Sequence, residues 1–256
     1  MGKRQVARRT EPRPPGWWDG FFDTFRPVFG VIPRRRTNQD VRFLLKKLDL
    51  KSGDSFLDCP CGIGRIALPL AAKGLRVTGV DVTRSYLDEL ARKAARRGLA
   101  IDTVRADMRR IKFAEEFDGA ANLWTSFGYF EKESDNKLVL KKAYRALRPG
   151  GRFMLHLINR DWIMKHFQET DWFETGGVKV LSKRSFDYEA SMCRETWTFM
   201  RDGQEVSHDT AIRMYSFHEL VAMFREVGFS DIEGYGSVKE EPITRDRNMM
   251  YVIGKR

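Results

Sequence analysis

Residues 57–71 read LDCPCGIGRIALPLA. The stretch joins the end of an apolar segment to a turn with two glycines and then to a second apolar segment. This order predicts a buried strand, a tight turn and a helix, which is how a doubly wound α/β fold begins. Because Cys59 and Cys61 flank Pro60 in the turn, the stretch could also be a metal site or no more than a connection.

The segments after this stretch continue the alternation of strand and helix. Strands separated by helices imply right-handed crossovers and parallel pairing. The sequence therefore predicts an α/β fold with a doubly wound, mostly parallel seven-stranded sheet. Two or three antiparallel strands, with a hairpin turn at Asp202-Gly203, form a β excursion after the fifth strand. The strands of the sheet are predicted at 55–59, 76–81, 101–107, 117–124, 152–158, 230–238 and 248–256.

The N-terminal segment differs from the rest of the chain. Residues 1–36 carry nine Lys/Arg against three acids, which is +6 of the total net charge of +11. We divide the chain into a basic, proline- and aromatic-rich extension, 1–36, and a domain, 37–256, with a β insertion at about 176–215. Within the extension, WWDGFFDTFRPVFG (17–30) is too aromatic to stay in water, so we expect it to pack on the domain and over its pocket.

Composition limits the class of protein. Hydrophobic residues make up 42% of the 256 residues, which is typical of a globular chain. We find no apolar run near the ~20 residues that span a bilayer, and no signal peptide. Three cysteines do not make a disulfide framework. We expect a cytoplasmic protein without a membrane partner. The positive charge fits either nucleic acid or simple solubility, and the oligomeric state stays open.

Metal binding is a poor explanation of the two cysteines. Structural zinc needs four Cys or His ligands, and Cys193 is distant with no histidine beside it. We predict no metal, and interpret Cys59 and Cys61 as small packing residues.

A dinucleotide is also a poor match. Gly62-Ile63-Gly64 fits a phosphate-binding turn, but Asp58 stands four residues before it. A carboxylate there would face the pyrophosphate that the helix N-terminus holds. It suits a cationic group instead, such as the ammonium of S-adenosylmethionine.

Four motifs together resemble a known family. LDCPCGIG, GVDVT, RADM and LRPGG, in this order, resemble the class I (Rossmann-like) S-adenosylmethionine-dependent methyltransferases. The resemblance is good over about residues 40–158 and looser beyond. Pro60 departs from the family's usual Gly or Ala.

The resemblance implies S-adenosylmethionine as cofactor and assigns roles. Asp58 would bind the ammonium, Asp81 the ribose hydroxyls and Asp107 the adenine amino group, with the side chain of Met108 on the ring. Asp81 and Asp107 could instead be ordinary loop acids that cap helices. The full set implied for the cofactor is Asp58, Cys59, Gly62, Gly64, Arg65, Asp81, Val82, Asp107, Met108 and Asn122.

The acceptor side is most similar in arrangement to small-molecule N-methyltransferases of the glycine and amino-sugar kind. The shared features are a Ser-Phe segment after strand four, Asn159 after strand five, and the antiparallel excursion. We name His156 as the most plausible base, with Asn159 and Tyr129 as further catalytic candidates; His156 could equally be a hydrogen-bonded strand histidine. Additional acceptor-pocket candidates are Trp17, Trp18, Phe21, Arg160, Trp162, Arg184 and Arg213.

The predicted function is S-adenosylmethionine-dependent methyl transfer to N or O of a small molecule. The loop NLWTSFGYF (122–130) lacks the (N/D)-P-P-(Y/F) motif of amino methylation on bases, and no cysteine is placed for pyrimidine C5 chemistry. Two alternatives remain: a tRNA or rRNA methyltransferase that uses the basic N-terminus, and a non-catalytic regulatory protein that binds the cofactor.

Overall fold

The computed structural model describes residues 16, 18, 20–29 and 32–256. The basic residues 1–15 and the candidate Trp17 lie outside the described residues. The strands found in the described part of the chain are β1 (Ser55–Asp58), β2 (Arg76–Asp81), β3 (Ile101–Arg105), β4 (Phe117–Asn122), β5 (Leu147–Ile158), β6 (Thr170–Thr175), β7 (Val178–Asp187), β8 (Met192–Arg201), β9 (Gln204–Arg213), β10 (Ser230–Tyr235) and β11 (Met249–Lys255).

Helices occupy the connections. They are α1 (Phe21–Phe29), α2 (Arg34–Lys47), α3 (Ala67–Ala71), α4 (Arg84–Ala95), α5 (Glu133–Ala146), α6 (Arg160–Lys165) and α7 (Phe217–Val227).

Seven strands form one sheet, in the order β10-β11-β5-β4-β1-β2-β3. The pairs among β1 to β5 are parallel, and β11 runs antiparallel to both β5 and β10. Buried apolar clusters cover both faces of the sheet. The predicted doubly wound, mostly parallel sheet of seven strands is therefore confirmed.

Local signals explain where several helices begin and end. Ser216 caps α7 in a reciprocal capping box with Glu219, and Gly228 ends the helix with a left-handed φ of 115°. The predicted helix after the glycine turn, α3, has only five residues, Ala67–Ala71. Pro69 sits inside it and has no N–H for a helical hydrogen bond. In contrast, α2 begins at Arg34, inside the segment that we assigned to the extension.

The β excursion forms a separate antiparallel sheet, β6-β7-β8-β9, which we call sheet B. Asp202 and Gly203 make its predicted hairpin turn, with φ of 51° and 77°. We expected two or three strands, and β6 was missed. Its side chains are mostly exposed on a sheet edge, so its sequence lacks the apolar alternation that predicts a strand.

Helix α1 lies between sheet B and α4. Phe21 is buried against Val178, Val180 and Phe199 of sheet B. On the other side, Ser85 at the start of α4 donates to Asp23 at 2.6 Å. The aromatic segment thus packs on the domain, as expected from its composition.

All three cysteines are buried and free. Cys61 packs against Gly79, where an added Cβ would meet the Cys61 sulfur at 2.9 Å. Among the described residues, we find neither a cluster of ligands that could hold a metal nor a helix long and apolar enough to cross a membrane.

Candidate active site

A cavity of about 260 Å³ lies at the carboxyl ends of β1, β2 and β4, under α1. In parallel α/β sheets, this edge is where ligands bind. Of the residues implied for the cofactor, those that border the cavity are Asp58, Cys59, Gly62, Arg65, Asp81, Val82, Asp107 and Met108.

The positions of Gly62 and Gly64 in the turn each favour glycine, but for different structural reasons. Both have positive φ, +52° at Gly62 and +85° at Gly64. A Cβ on Gly62 would meet nothing within 4 Å, since Gly62 borders the cavity. A Cβ on Gly64 would lie 2.3 Å from Cδ1 of Leu90. Gly62 therefore keeps the ligand space open, whereas Gly64 lets α4 approach the turn. Gly64 does not border the cavity, and its assignment to the cofactor stays a prediction.

Asp81 ends β2 and is already engaged with backbone. One carboxylate oxygen accepts from the N–H of Gly62 at 2.8 Å, and the other accepts from the N–H of Thr83 at 2.8 Å. Each oxygen has a second lone pair, so the group can still accept from two hydroxyls. Burial raises its pKa.

Asp58 is the most deeply buried acid of the cavity, with 2% of its surface exposed. Its Oδ2 atom has no hydrogen-bond partner among the described residues. Burial raises the pKa of Asp58 to about 7, and the nearby Arg65 opposes that rise. Such a carboxylate is poised to pair with a cation that enters the cavity.

Arg65 borders the cavity, and contacts with two other residues hold its guanidinium in place. Its guanidinium lies 2.6 Å from the buried carboxylate of Asp40 on α2, and 5.6 Å from the ring of Trp124. One end of the cavity therefore presents a carboxyl group, that of Asp58, next to a guanidinium cation, that of Arg65. That pair complements a ligand that carries both an ammonium and a carboxylate.

The carboxylate of Asp107 forms an ion pair that the sequence did not predict. Its carboxylate pairs with Arg109 at 2.6 Å, and Arg109 also reaches Asp135 at 2.8 Å. The same guanidinium lies 4.0 Å from the centre of the Phe130 ring. Arg109 was missed, although its spacing two residues after Asp107 was a usable signal. Asp107 borders the cavity but primarily holds Arg109.

Asn122 does not border the cavity. Its amide nitrogen donates to the Ser126 carbonyl at 3.1 Å and approaches the Met108 sulfur at 3.6 Å. It therefore contributes by holding Met108 and the loop after β4. In this loop Leu123, Trp124, Thr125 and Ser126 border the cavity.

The opposite wall of the cavity comes from α1 and sheet B. Its side chains are mostly aromatic and apolar, and Thr210 supplies a hydroxyl. Tyr129, a catalytic candidate, also borders the cavity, and burial raises its pKa. The residues of this wall are Phe21, Phe22, Phe25, Trp197, Thr210 and Ile212.

A second, larger opening adjoins the cavity. This groove, of about 1000 Å³, shares Trp18, Tyr129, Phe130 and Thr210 with it. Arg184 borders the groove and is paired with Glu195 at 2.9 Å. The groove gives a molecule too large for the cavity a place for its remaining parts.

His156 does not border the cavity. It is 1% exposed, and its ring stacks on Tyr251 with 4.1 Å between centroids. Burial, Arg65 and Arg36 lower its pKa, so the ring is neutral. The structure does not bring this candidate base to the reacting position.

The side chain of Asn159 likewise forms hydrogen bonds within the protein. Its amide nitrogen donates to the carbonyls of Thr244 and Arg247, each at 2.9 Å, and its oxygen caps α6. Asn159 therefore joins α6 to the loop before β11, and it does not border the cavity.

Three further acceptor candidates lie elsewhere. Arg160 pairs with Glu219 at 3.1 Å, and Arg213 pairs with Glu133 at 2.8 Å. The ring of Trp162 stacks on that of His166. None of the three borders the cavity or the groove.

Comparisons with known proteins agree with this fold. Residues 56–151 match the family model described as a methyltransferase domain. The S-adenosyl-L-methionine-dependent Diels-Alderase iccD from Talaromyces variabilis is 33% identical over 151 residues, 57% of this chain and 47% of that protein. The ubiquinone biosynthesis O-methyltransferase from Pseudomonas paraeruginosa is 28% identical over 145 residues, 57% of this chain and 59% of that protein.

A solved structure extends the likeness to the whole chain. The sugar N-methyltransferase KedS8 from Streptoalloteichus sp. ATCC 53650 superposes with a TM-score of 0.64 at 17% identity, over 100% of this chain and 99% of that chain. At this identity the comparison concerns the fold. The chain spans about half of the length of these two curated relatives, 47% and 59%.

Proposed function

We propose that this chain, in which residues 56–151 match a methyltransferase domain, is a class I (Rossmann-like) S-adenosylmethionine-dependent methyltransferase that transfers a methyl group from that cofactor to a nitrogen or oxygen of a small molecule. The residues at one end of the cavity support binding of the cofactor. The aromatic wall from α1 and sheet B supports binding of a small acceptor.

The observation that carries the proposal is the buried carboxylate of Asp58. A buried acid with an unpartnered oxygen is costly unless a cation binds to it. The ammonium of S-adenosylmethionine supplies that cation, and Arg65 is available to its carboxylate. Asp81 retains lone pairs for the ribose hydroxyls. A pyrophosphate would be repelled by Asp58 and Asp81, which border the same cavity.

The cofactor, when bound, supplies a methyl group already activated by the sulfonium. The protein then has to align the acceptor atom and exclude water. The apolar wall from α1 and sheet B excludes water on the acceptor side. Because burial raises the pKa of Tyr129, its phenol stays protonated near neutral pH. We assign it the role of orienting the acceptor through its hydroxyl, rather than that of a base.

The partly covered cavity favours a small acceptor. Helix α1 covers it, and the adjoining groove of about 1000 Å³ has room for the rest of a metabolite-sized molecule. Two of the similar proteins are named for a ubiquinone-pathway O-methyltransferase and a sugar N-methyltransferase. These names support a small acceptor and leave both acceptor atoms in the proposal.

Binding and transfer can be tested separately. Calorimetry of the full chain with S-adenosylmethionine tests binding, with Asp81→Ala as the variant that loses it. Asp88→Ala, an exposed acid on α4, is the matched control that keeps it. Incubation with methyl-labelled cofactor and a metabolite extract then tests transfer.

Each outcome points to one function. Label in a small molecule supports the proposal. Label only in RNA would favour the tRNA or rRNA alternative, and label only in protein would also reject a small acceptor. Binding without consumption of the methyl group would favour a regulatory protein, or chemistry such as the name of the Talaromyces relative describes. No binding would remove every one of these functions.

A further inference from the structure

The loop after β4 holds two consecutive residues in the left-handed region of backbone conformation. Trp124 has φ of 64° and Thr125 has φ of 57°. Neither is glycine, and both border the cavity. A bulky aromatic and a β-branched residue adopt this region only when their surroundings hold them there.

His156 on β5 provides this support. Its carbonyl accepts from the Thr125 N–H at 3.0 Å, and its ring Nδ1 lies 3.4 Å from the Trp124 nitrogen as the acceptor of that N–H. The Thr125 hydroxyl accepts from the N–H of Ile158 at 3.0 Å, further along the same strand. The backbone of the cavity wall is thus bound to the end of β5.

The His156 ring is in turn connected to the cofactor end. It stacks on Tyr251, whose hydroxyl accepts from Arg36 at 3.1 Å and approaches Asp40 at 3.4 Å. Asp40 holds Arg65.

The connections form a closed circuit. Arg65 lies beside the ring of the same Trp124 whose N–H faces His156. The circuit runs from the Trp124 backbone through His156, Tyr251, Asp40 and Arg65 back to the Trp124 ring.

We propose that His156 is a positioning residue: its neutral ring fixes the left-handed Trp124–Thr125 turn, so that the cavity wall next to the transferred methyl keeps its shape. This role replaces that of general base and rests on the proposed methyl transfer. The lowered pKa of His156 fits it, because a neutral Nδ1 can accept a hydrogen bond and a protonated one cannot.

Two substitutions distinguish the effect of an aromatic ring at position 156 from the effect of the hydrogen-bond acceptor Nδ1. His156→Phe keeps an aromatic ring to stack on Tyr251 but has no acceptor. His156→Asn places a carbonyl oxygen close to where Nδ1 stood. We expect amide hydrogen exchange at Trp124 to be about tenfold faster in His156→Phe and close to wild type in His156→Asn. Amides of the central strand β4 serve as the control for intact folding.

The reverse pattern would overturn the proposal. Exchange at Trp124 that is unchanged in His156→Phe, or equally fast in both variants, excludes a role for the acceptor atom. The wild-type protein gives a test that does not depend on folding of the variants. Nitrogen-15 shifts of the His156 ring must report an unprotonated Nδ1, and a protonated Nδ1 rejects the proposal outright.

Kinetics distinguish positioning from a general loss of structure. With an acceptor identified, His156→Phe should lower kcat about tenfold while the Kd of S-adenosylmethionine changes less than about twofold, and His156→Asn should restore most of kcat. An equal loss in both variants would contradict positioning. If the wild type binds no S-adenosylmethionine, the proposed methyl transfer fails, and the exchange and nitrogen-15 measurements still decide what holds the turn.

Discussion

The carboxylate of Asp81 accepts a 2.8 Å hydrogen bond from the backbone N–H of Gly62, 19 residues earlier in the chain. This bond ties the end of β2 to the glycine turn, so a single side chain both shapes the turn and faces the ligand space.

Asp81→Asn should weaken S-adenosylmethionine binding by about tenfold or more, because the amide loses one of the two oxygens that can accept from ribose. Calorimetry measures the change, with Asp88→Asn on the exposed face of α4 as the control. Equal affinity of Asp81→Asn and wild type would exclude a role for Asp81 in ribose binding.

Cofactor affinity should rise with pH in the wild type. The pKa of Asp58 is raised to about 7, and only the ionised form pairs with an ammonium. Affinity for S-adenosylmethionine should therefore increase between about pH 6 and pH 8. In Asp58→Asn the affinity should be lower at pH 8 and much less dependent on pH. A wild-type profile as flat as that of the variant would contradict the pairing.

The stability of the cofactor-free protein should change with pH in the opposite direction. The pKa of Asp58 is higher in the folded protein than its ordinary value of 3.8. The folded state therefore holds a proton that the unfolded state releases between about pH 4 and pH 7. This group lowers the free energy of unfolding as pH rises through that window, by on the order of a few kcal/mol. Denaturant unfolding should show a smaller decrease in Asp58→Asn.

Gly62→Ala and Gly64→Ala should differ in what they damage. At Gly64 the Cβ would collide with Leu90 at 2.3 Å, on a backbone with φ of +85°, so we expect a loss of roughly 2–4 kcal/mol of stability. At Gly62 there is room in the fold, so the stability loss should be about 1 kcal/mol, from the positive φ alone. Its methyl group should instead reduce cofactor affinity. Unfolding and calorimetry on both variants measure the two effects, and identical losses would contradict the distinction.

Arg109→Gln should destabilise the protein by about 3 kcal/mol, because the buried Asp107 carboxylate loses its ion-pair partner and keeps only the backbone N–H of residue 109. Arg84→Gln, which breaks an exposed pair with Asp88, should cost less than about 0.5 kcal/mol. The double variant Asp107→Asn with Arg109→Gln should be more stable than the sum of the two single changes indicates. If the stability losses of the two single variants add up to the loss of the double variant, the two side chains are not coupled.

Most residues that the sequence implies for the cofactor border the cavity, whereas most of the acceptor candidates do not. Asp58, Gly62 and Asp81 lie near strand ends in motifs with fixed spacing, so their position follows from the fold. His156 and Asn159 also follow a strand, but burial and hydrogen bonds commit them to the protein itself. Sequence position cannot distinguish a side chain that faces a cavity from one that packs behind its wall.

Two misses have physical causes. Strand β6 is an exposed edge strand, so it carries no apolar pattern to recognise. Arg109 acquires its role from Asp135, which comes from α5, 26 residues later in the chain. The contact with Asp135 depends on tertiary packing, which motif spacing does not encode, whereas the pair of Arg109 with Asp107 is local in the sequence.

Two walls of the cavity come from different stretches of the chain, with the loop after β4 beside them. The residues that we assign to the cofactor lie between Asp58 and Asn122, whereas α1 and strands β8 and β9 of sheet B supply the facing aromatic wall. Cofactor recognition and acceptor choice are therefore genetically separable. A combinatorial library limited to the cavity-lining positions of α1, β8 and β9 would test whether the proposed methyl transfer can be directed to new acceptors while every assigned cofactor contact stays unaltered.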